Sequence, residues 1–350
     1  MIVLLHYLRA VAALLVVYGH LGGFEYFHAL GKVDLNGIGS AIFFVISGFL
    51  LWGTSNPKPI VKFLAVRFLR LVPLYWLYTS VLVCLAIVAP SLTPRISLSP
   101  EHIVYSYLFI PYLNDFNQIN PLLLQAWTLN YEIYFSFIFA ISLMVDGPRL
   151  RLALLTMFIV LSFTIGLIAP SESAVIKFYT GSMLLCFLFG IWARITYRKI
   201  AHSLTVGSLS AVLGGGGLIA AGLFLPALEP RGLIYGVPSA VLLVGLSILS
   251  NRISKADGLL KSVADCTYTL FLSHPFVLAG VAMGFRVVDR ALFPVNGIVG
   301  ALSFGIVGIV ASILFALVAH RVIEQPINRV SNMIRLSLWP SSPRVSPRTA

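Results

Sequence analysis

Charged residues are scarce in this sequence, at 10% of its 350 positions, and only 12 of them are acidic. Hydrophobic residues make up 59% of the chain, and the mean hydropathy is +0.95. Soluble globular domains do not reach such values, because their surfaces need polar and charged side chains. The composition therefore excludes a soluble protein and predicts an all-α polytopic membrane protein.

Cysteine is also rare, with only Cys84, Cys186 and Cys266. All three lie in apolar stretches and share no metal-ligand spacing, so we expect buried, reduced thiols and neither a disulfide framework nor a zinc site. The formal net charge of +12 would suit a nucleic-acid-binding protein, but Lys and Arg lie between apolar runs rather than in one basic stripe. These cations indicate membrane topology, and we expect neither nucleic acid nor a metal as a partner.

Ten apolar runs can cross a hydrocarbon core of roughly 30 Å, which takes about 20 helical residues. The predicted spans are 5–25, 36–54, 71–90, 126–145, 151–169, 174–193, 204–226, 232–250, 266–285 and 297–323. Seventeen of the 24 Lys and Arg fall on one side of this arrangement and six on the other. By the positive-inside rule, this bias predicts that the N and C termini are both cytoplasmic.

The segments outside these spans complete the predicted organisation. The longest connection, 91–125, contains an apolar piece, 103–113, that is too short to span and is expected to be interfacial or re-entrant. Residues 1–329 are predicted to form one membrane domain. Residues 330–350 end in a stretch rich in Ser, Pro and Arg, and are predicted to be a disordered cytoplasmic tail. The run Gly214 to Gly217 predicts close helix packing.

The first span carries two ionisable residues, Arg9 and His20, in the stretch LHYLRAVAALLVVYGH. On an α-helix, positions eleven apart lie within roughly 20° of the same face and about 16 Å apart along the axis. A charge inside a span costs about 2.5 to 3.5 kcal/mol on insertion scales, so the pair predicts a functional site. The alternative is that Arg9 snorkels to the headgroups while His20 lies at the opposite interface.

Two more arginines, Arg67 and Arg70, lie three residues apart on one helical face just before Pro73. Proline in that position suits the first turn of a span. Two guanidiniums at the cytoplasmic rim can bind the phosphates of a nucleotide-like cofactor. The alternative is ordinary anchoring by the positive-inside rule.

Glu132, in AWTLNYEIYF, is the only acid in the interior of a predicted span, since Glu25 is the last residue of the first span. A carboxylate in hydrocarbon must be paired, protonated or facing water. We expect its partner to be Arg9 or His20, and the alternative role is a structural salt bridge.

His274 precedes Pro275 near the middle of the ninth span. Proline inside a helix implies a kink with carbonyls that have lost their partners. His274 or Ser273 is expected to satisfy such a carbonyl.

Together these motifs resemble those of the acyltransferase-3 family of integral membrane acyltransferases. RAVAALLVVYGH matches its signature of an arginine and a histidine separated by ten residues, and AWTLNYEIYF resembles its tryptophan-to-glutamate motif. Further motifs follow in the family's order between about residues 5 and 329, namely SAIFFVISGFLL, VRFLRLVPLYW, DCTYTLFLSHPFVL and RVIEQPINR. Val66 departs from the paired arginines of many relatives, and Ile133 from their second glutamate. These departures leave fewer expected phosphate contacts and assign the carboxylate role to Glu132 alone.

The resemblance implies a membrane-bound O-acyltransferase whose acyltransferase domain is residues 1–329. Its expected reaction moves an acyl group, usually acetyl, from cytoplasmic acyl-CoA to a hydroxyl of a glycan or lipid-linked glycan at the bacterial inner membrane. The acceptor would be an exopolysaccharide or lipopolysaccharide. No metal is implied, and the expected partners are acyl-CoA, the glycan and membrane lipid.

In that reaction His20 is the expected catalytic base, and Glu132 is expected to orient it or to stabilise its imidazolium. The CoA phosphates are expected to bind Arg9, Arg67 and Arg70. From the residues alone, the alternative is a proton-coupled secondary transporter, since intramembrane Arg, His and Glu also form proton relays. A transporter needs no CoA, whereas the enzyme releases it only when an acceptor is present.

Overall fold

The computed structural model describes residues 3–24, 26, 34–53, 59–93, 96, 98–226, 228–253, 258–291 and 297–339. Within these residues the chain is almost entirely helical, and the only β-type pairing is one bridge between Leu113 and Ile119. The helices are α1 (Val3–Leu21), α2 (Leu35–Gly53), α3 (Ile60–Val88), α4 (Pro100–Tyr107), α5 (Trp127–Ser142), α6 (Pro148–Ile168), α7 (Ala174–Tyr179), α8 (Leu184–Ile200), α9 (Leu204–Phe224), α10 (Arg231–Leu249), α11 (Gly258–Asp265), α12 (Thr267–Ala291), α13 (Gly297–Ala319) and α14 (Gln325–Leu338). A π-helical turn, His320–Glu324, joins α13 to α14.

The number of spans differs from the predicted ten. Nine helical segments of the described chain are long and apolar enough to cross a membrane, so the chain is a multi-pass helical membrane protein. The predicted span without a counterpart among these nine is the fourth, 126–145, which corresponds to α5, a helix of 16 residues and about 24 Å. Arg151 explains its early end, because the guanidinium donates to the carbonyls of Ser142 and Val145. These bonds satisfy carbonyls at the helix end that a longer helix would have paired.

Helix α3 begins at Ile60 rather than at residue 71, and Pro73 lies inside it rather than in its first turn. Proline has no N–H, so the carbonyl four residues earlier, that of Leu69, loses its helical partner. The hydroxyl of Ser331 in α14 donates to this carbonyl at 3.0 Å. A side chain from the C-terminal helix thus satisfies the group that the proline leaves unpaired, and it docks α14 against α3.

The C-terminal helix also corrects the predicted tail. Because α14 runs to Leu338, the boundary drawn at residue 330 falls inside a helix, and residues 330–338 are helical rather than disordered. Residues 340–350 lie outside the described residues. Arg9, in the second turn of α1, and Arg335, in the last turn of α14, line the same cavity. The two terminal helices therefore meet at the same end of the bundle.

Helix α2 is the most buried of the long helices and packs against α1, α8 and α10. A Cβ atom added to Gly48 of α2 or Gly190 of α8 would lie 2.0 Å from a backbone oxygen of the facing helix. Only glycine permits this approach. In α9, Gly214 packs against the backbone of α10 in the same way, whereas Gly215 and Gly216 face open space. The predicted close packing therefore applies to only part of the four-glycine run.

The connection between α3 and α5 does not cross the membrane, as predicted, since its helix α4 has only eight residues. Two hydrogen bonds attach it to the second half of α3. The Tyr75 hydroxyl donates to the Ser106 carbonyl at 2.8 Å, and the Trp76 indole N–H donates to the Tyr107 carbonyl at 2.9 Å.

Candidate active site

A cavity of about 600 Å³ contains all three arginines that the sequence analysis assigned to phosphate binding, Arg9, Arg67 and Arg70. Its walls come from α1, α2, α3, α5, α12 and the C-terminal segment, and its volume is typical of small-molecule sites. Among the described residues, five cationic side chains line it against one carboxylate, that of Glu132. Arg9 and Arg70 form no ion pair within the described chain. The cavity therefore has excess positive charge and suits an anionic ligand.

Glu132 fixes Arg67 to the cavity wall. Arg67 Nη2 donates to Glu132 Oε2 at 2.6 Å, and Arg67 Nε donates to Ser136 Oγ at 3.1 Å. The Ser47 hydroxyl donates to the other oxygen of Glu132. The side chains of Arg67 and Glu132 are only 16% and 13% exposed. The ion pair is thus largely desolvated, and both carboxylate oxygens have a donor.

This pairing corrects the expected partner of Glu132. The sequence analysis named Arg9 or His20, but the structure pairs the carboxylate with Arg67. His20 lies about 16 Å beyond Arg9 along α1, at the far end of the helix from the cavity cations. Glu132 therefore lies on the cavity wall, where it holds the Arg67 guanidinium in place, and it does not orient the imidazole of His20 by direct contact.

A second buried acid, Glu324, was missed because it follows the last predicted span by one residue. Its residue exposure is 8%, and it lies in the π-helical turn. The Thr269 hydroxyl donates to its carboxylate, and His320 Nδ1 lies 2.7 Å from the same oxygen. Glu324 also interacts electrostatically with Arg9. Besides Glu132, therefore, Glu324 and Asp265 place negative charge near the start of α1, where Asp265 Oδ1 lies 2.9 Å from His6 Nε2.

His20 lies at the opposite end of α1 and is half-buried. Its Nδ1 is 2.8 Å from the carbonyl oxygen of Val16. Because a carbonyl can only accept, Nδ1 carries the hydrogen, and Nε2 of the neutral ring has a free lone pair. This is the tautomer that a general base requires.

His274 of α12 lies directly beside His20, with ring centroids 4.8 Å apart in an edge-on arrangement. The residue is fully buried, and its Nδ1 is 3.1 Å from the Leu270 carbonyl, so its Nε2 is also an acceptor. This Nε2 has no hydrogen-bond partner within the described chain. Pro275 leaves the Phe271 carbonyl, four residues earlier, without its helical partner, so the bond to Leu270 does not test the predicted role of His274. The contact with His20 was not predicted.

One layer of aromatic rings separates the cavity from the two histidines. Phe43 and Phe271 both line the cavity, and their centroids are 6.1 Å apart. The Phe271 ring also lies 6.3 Å from the His274 ring. The cavity therefore ends one side chain away from the histidine pair.

Comparison with known proteins shows which family the chain belongs to. The model of the acyltransferase-3 family, described as an acyltransferase domain, matches residues 2–321. The chain belongs to the acyltransferase-3 family. It is also 31% identical to the exopolysaccharide production protein ExoZ of Rhizobium meliloti (strain 1021), over 315 residues that cover 87% of this chain and 94% of that protein. No solved structure shows a significant match.

Family membership makes the chain an enzyme that transfers acyl groups, and it favours the acyltransferase interpretation over the transporter. All five predicted site residues fall inside the matched region. The structure sorts them into two places, because Arg9, Arg67, Arg70 and Glu132 line the cavity while His20 lies beyond the aromatic layer. Their individual roles stay predictions.

Two further cations of this acyltransferase, Lys62 and Arg335, line the cavity together with Trp339. The sequence analysis counted both cations only as markers of topology. Lys62 had only a weak signal, because its position eight residues before Arg70 leaves it roughly 80° around α3 from that arginine. Arg335 had none, since it lies beyond the matched family region and reaches the cavity only through the docking of α14 on α3.

The acyltransferase holds no cluster of three His, Cys, Asp or Glu side chains that could ligate a metal in the part of the chain that the structure describes. Its cysteines are free thiols. Cys186 and Cys266 are buried as predicted, whereas the prediction is wrong for Cys84, which is exposed.

The histidine pair leads to a first prediction. Replacing His274 by phenylalanine keeps a ring of similar size but removes the buried Nε2 acceptor. We expect kcat of acyl transfer to fall by about tenfold or more, equivalent to about 1.4 kcal/mol, with little change in the KM for the acyl donor. Steady-state kinetics measure both constants, and His202→Phe, in an exposed turn, is the control. An unchanged kcat would mean that His274 only completes the packing of α12.

Proposed function

We propose that this acyltransferase moves an acyl group, in the simplest case acetyl, from cytoplasmic acyl-CoA to a hydroxyl of an exopolysaccharide or its lipid-linked precursor at the bacterial inner membrane. The observation that carries the proposal is the position of a cationic cavity and a histidine pair towards opposite ends of one transmembrane helix. The name of the related protein, exopolysaccharide production protein, supports this class of acceptor.

The donor follows from the charge of the cavity. Acyl-CoA carries its phosphates at one end of the molecule and its thioester at the other, joined by a narrow pantetheine arm. Arg9 and Arg70 form no ion pair among the described residues, so their guanidinium donors are available to phosphate oxygens. By the positive-inside count, this end of the bundle faces the cytoplasm, where acyl-CoA is made. To reach His20, the arm must move Phe43 and Phe271 apart, since their ring centroids lie 6.1 Å from each other.

The chemistry is direct transfer. His20 Nε2 removes the proton from the acceptor hydroxyl as its oxygen attacks the thioester carbonyl. The carbon–sulfur bond breaks, the new ester forms, and the CoA thiolate takes the proton back from His20. Between these steps, the His20 imidazolium lies beside the neutral ring of His274, whose Nε2 lone pair has no other partner among the described residues. Glu132 acts at the cavity, where it positions Arg67.

Two measurements test the proposal. The full-length protein in lipid nanodiscs should release CoA from acetyl-CoA only when an exopolysaccharide fragment is supplied. Deletion of the gene should remove O-acetyl groups from the secreted polysaccharide of the host, and the wild-type gene should restore them. Unchanged acetylation in the deletion strain would contradict this acceptor, and a protein that neither binds nor consumes acyl-CoA would contradict the donor.

A further inference from the structure

The cavity holds cations at two levels. Lys62 lies in the first turn of α3 and Arg335 in the last turn of α14, both at helix ends. Along α3, Lys62 precedes Arg70 by about 12 Å. Arg9, Arg67 and Arg70 therefore form an inner group, and Lys62 with Arg335 forms an outer group at the terminal end of the bundle.

The outer group is held in place by the helix packing. Ser331 donates to the Leu69 carbonyl at 3.0 Å, and Arg335 follows Ser331 by four residues, so both lie on the face of α14 turned towards α3. Trp339 follows Arg335 by another four residues, and its backbone N–H donates to the Arg335 carbonyl at 3.0 Å. Half-buried Arg335 and Trp339 thus reach the cavity from one ordered helix end.

Neither outer cation has an acidic partner in the part of the chain that the structure describes. Lys62 and Arg335 form no ion pair within the described chain, and the one carboxylate on the cavity wall is bound by Arg67. Two cations beside an indole suit a phosphate attached to an aromatic base, because the cations pair with its oxygens while the ring packs on the base.

We propose that Lys62 and Arg335 bind the ribose 3′-phosphate of CoA and that Trp339 packs against its adenine, while the inner arginines bind the diphosphate. This inference rests on the proposed acyl-CoA donor and specifies how the donor is recognised. CoA has two phosphate groups, the diphosphate on the pantetheine arm and the separate phosphate on the ribose, and the cavity has two levels of cations. An acyl carrier protein has the pantetheine arm without the 3′-phosphate, so α14 selects free acyl-CoA over carrier-bound acyl groups.

Binding of CoA and of 3′-dephospho-CoA to the full-length protein in nanodiscs, measured by calorimetry, tests this assignment without any acceptor. Wild type should bind CoA about tenfold or more tightly than 3′-dephospho-CoA. Arg335→Gln should bring the two affinities to within about threefold by weakening CoA alone. Arg329→Gln, an exposed cation on the same helix, should behave as wild type. Trp339→Leu should weaken both ligands by the same factor, because both contain adenine.

The outcomes separate the two proposals. If wild type binds CoA and 3′-dephospho-CoA equally, or if Arg335→Gln weakens both equally, the 3′-phosphate assignment is overturned and the acyl-CoA donor stands. If wild type binds neither ligand, the proposed donor itself is wrong. Unchanged binding of 3′-dephospho-CoA by Arg335→Gln also shows that the variant is folded.

Discussion

Replacing His20 by alanine is expected to lower the rate of acyl transfer by about 10²- to 10⁴-fold, the range that a positioned general base contributes. The bond from its Nδ1 to the Val16 carbonyl leaves Nε2 free to accept the proton of an acceptor hydroxyl. Alanine removes this base without altering the cavity, which lies beyond Phe43 and Phe271. The loss should therefore appear in kcat, with the KM for acyl-CoA nearly unchanged.

Two comparisons make this result specific to His20. His202→Ala removes an exposed histidine in the turn between α8 and α9 and should retain full activity. Arg9→Gln changes the same helix at the cavity end and should mainly raise the KM for acyl-CoA, because a phosphate contact contributes to donor binding. If His20→Ala keeps a wild-type kcat at an equal level of inserted protein, His20 is not the base.

The sequence alone was sufficient to predict the relative positions of residues that lie on the same helix. Arg9 and His20 lie on α1, and their relative position follows from the helical repeat alone. Arg67 and Arg70 are likewise neighbours on α3, and the structure places both in the cavity with Arg9. Local periodicity therefore located both ends of the candidate site.

Contacts between helices could not be obtained in the same way. The partner of Glu132 and the position of His274 depend on how α5 and α12 pack against α3 and α1, and no local pattern encodes that packing. Several cations were available to Glu132, and no local pattern favours Arg67 among them. His274 was interpreted from its own helix, through Pro275, because its neighbour His20 lies on another.

Pro73 explains why the start of α3 was predicted wrongly. Proline favours the first turn of a helix, so α3 was predicted to start near it. The helix continues through Pro73 because Ser331 satisfies the Leu69 carbonyl. A bond to a distant residue thus lengthens α3, docks α14 and brings Arg335 to the cavity, and none of these follows from local sequence.

The second large effect is expected at Glu132. Glu132→Gln should destabilise the protein by about 3 to 5 kcal/mol, because it leaves the largely buried Arg67 guanidinium without its counter-charge. The measurement is the thermal unfolding midpoint of the full-length protein in detergent. Glu229→Gln is the matched control, since this exposed acid pairs with Arg231 at 3.1 Å and should cost less than about 1 kcal/mol.

A double variant separates the two roles considered for Glu132. Arg67→Met combined with Glu132→Met removes both charges, so the unfolding midpoint should return towards that of wild type. The double variant should bind CoA more weakly than wild type, because Arg67 no longer contacts a phosphate. If Glu132 acted instead on His20, Glu132→Gln would leave the midpoint unchanged and shift the pH dependence of kcat. We expect the loss of stability rather than the shift in pH dependence, because Glu132 contacts Arg67 directly, at 2.6 Å.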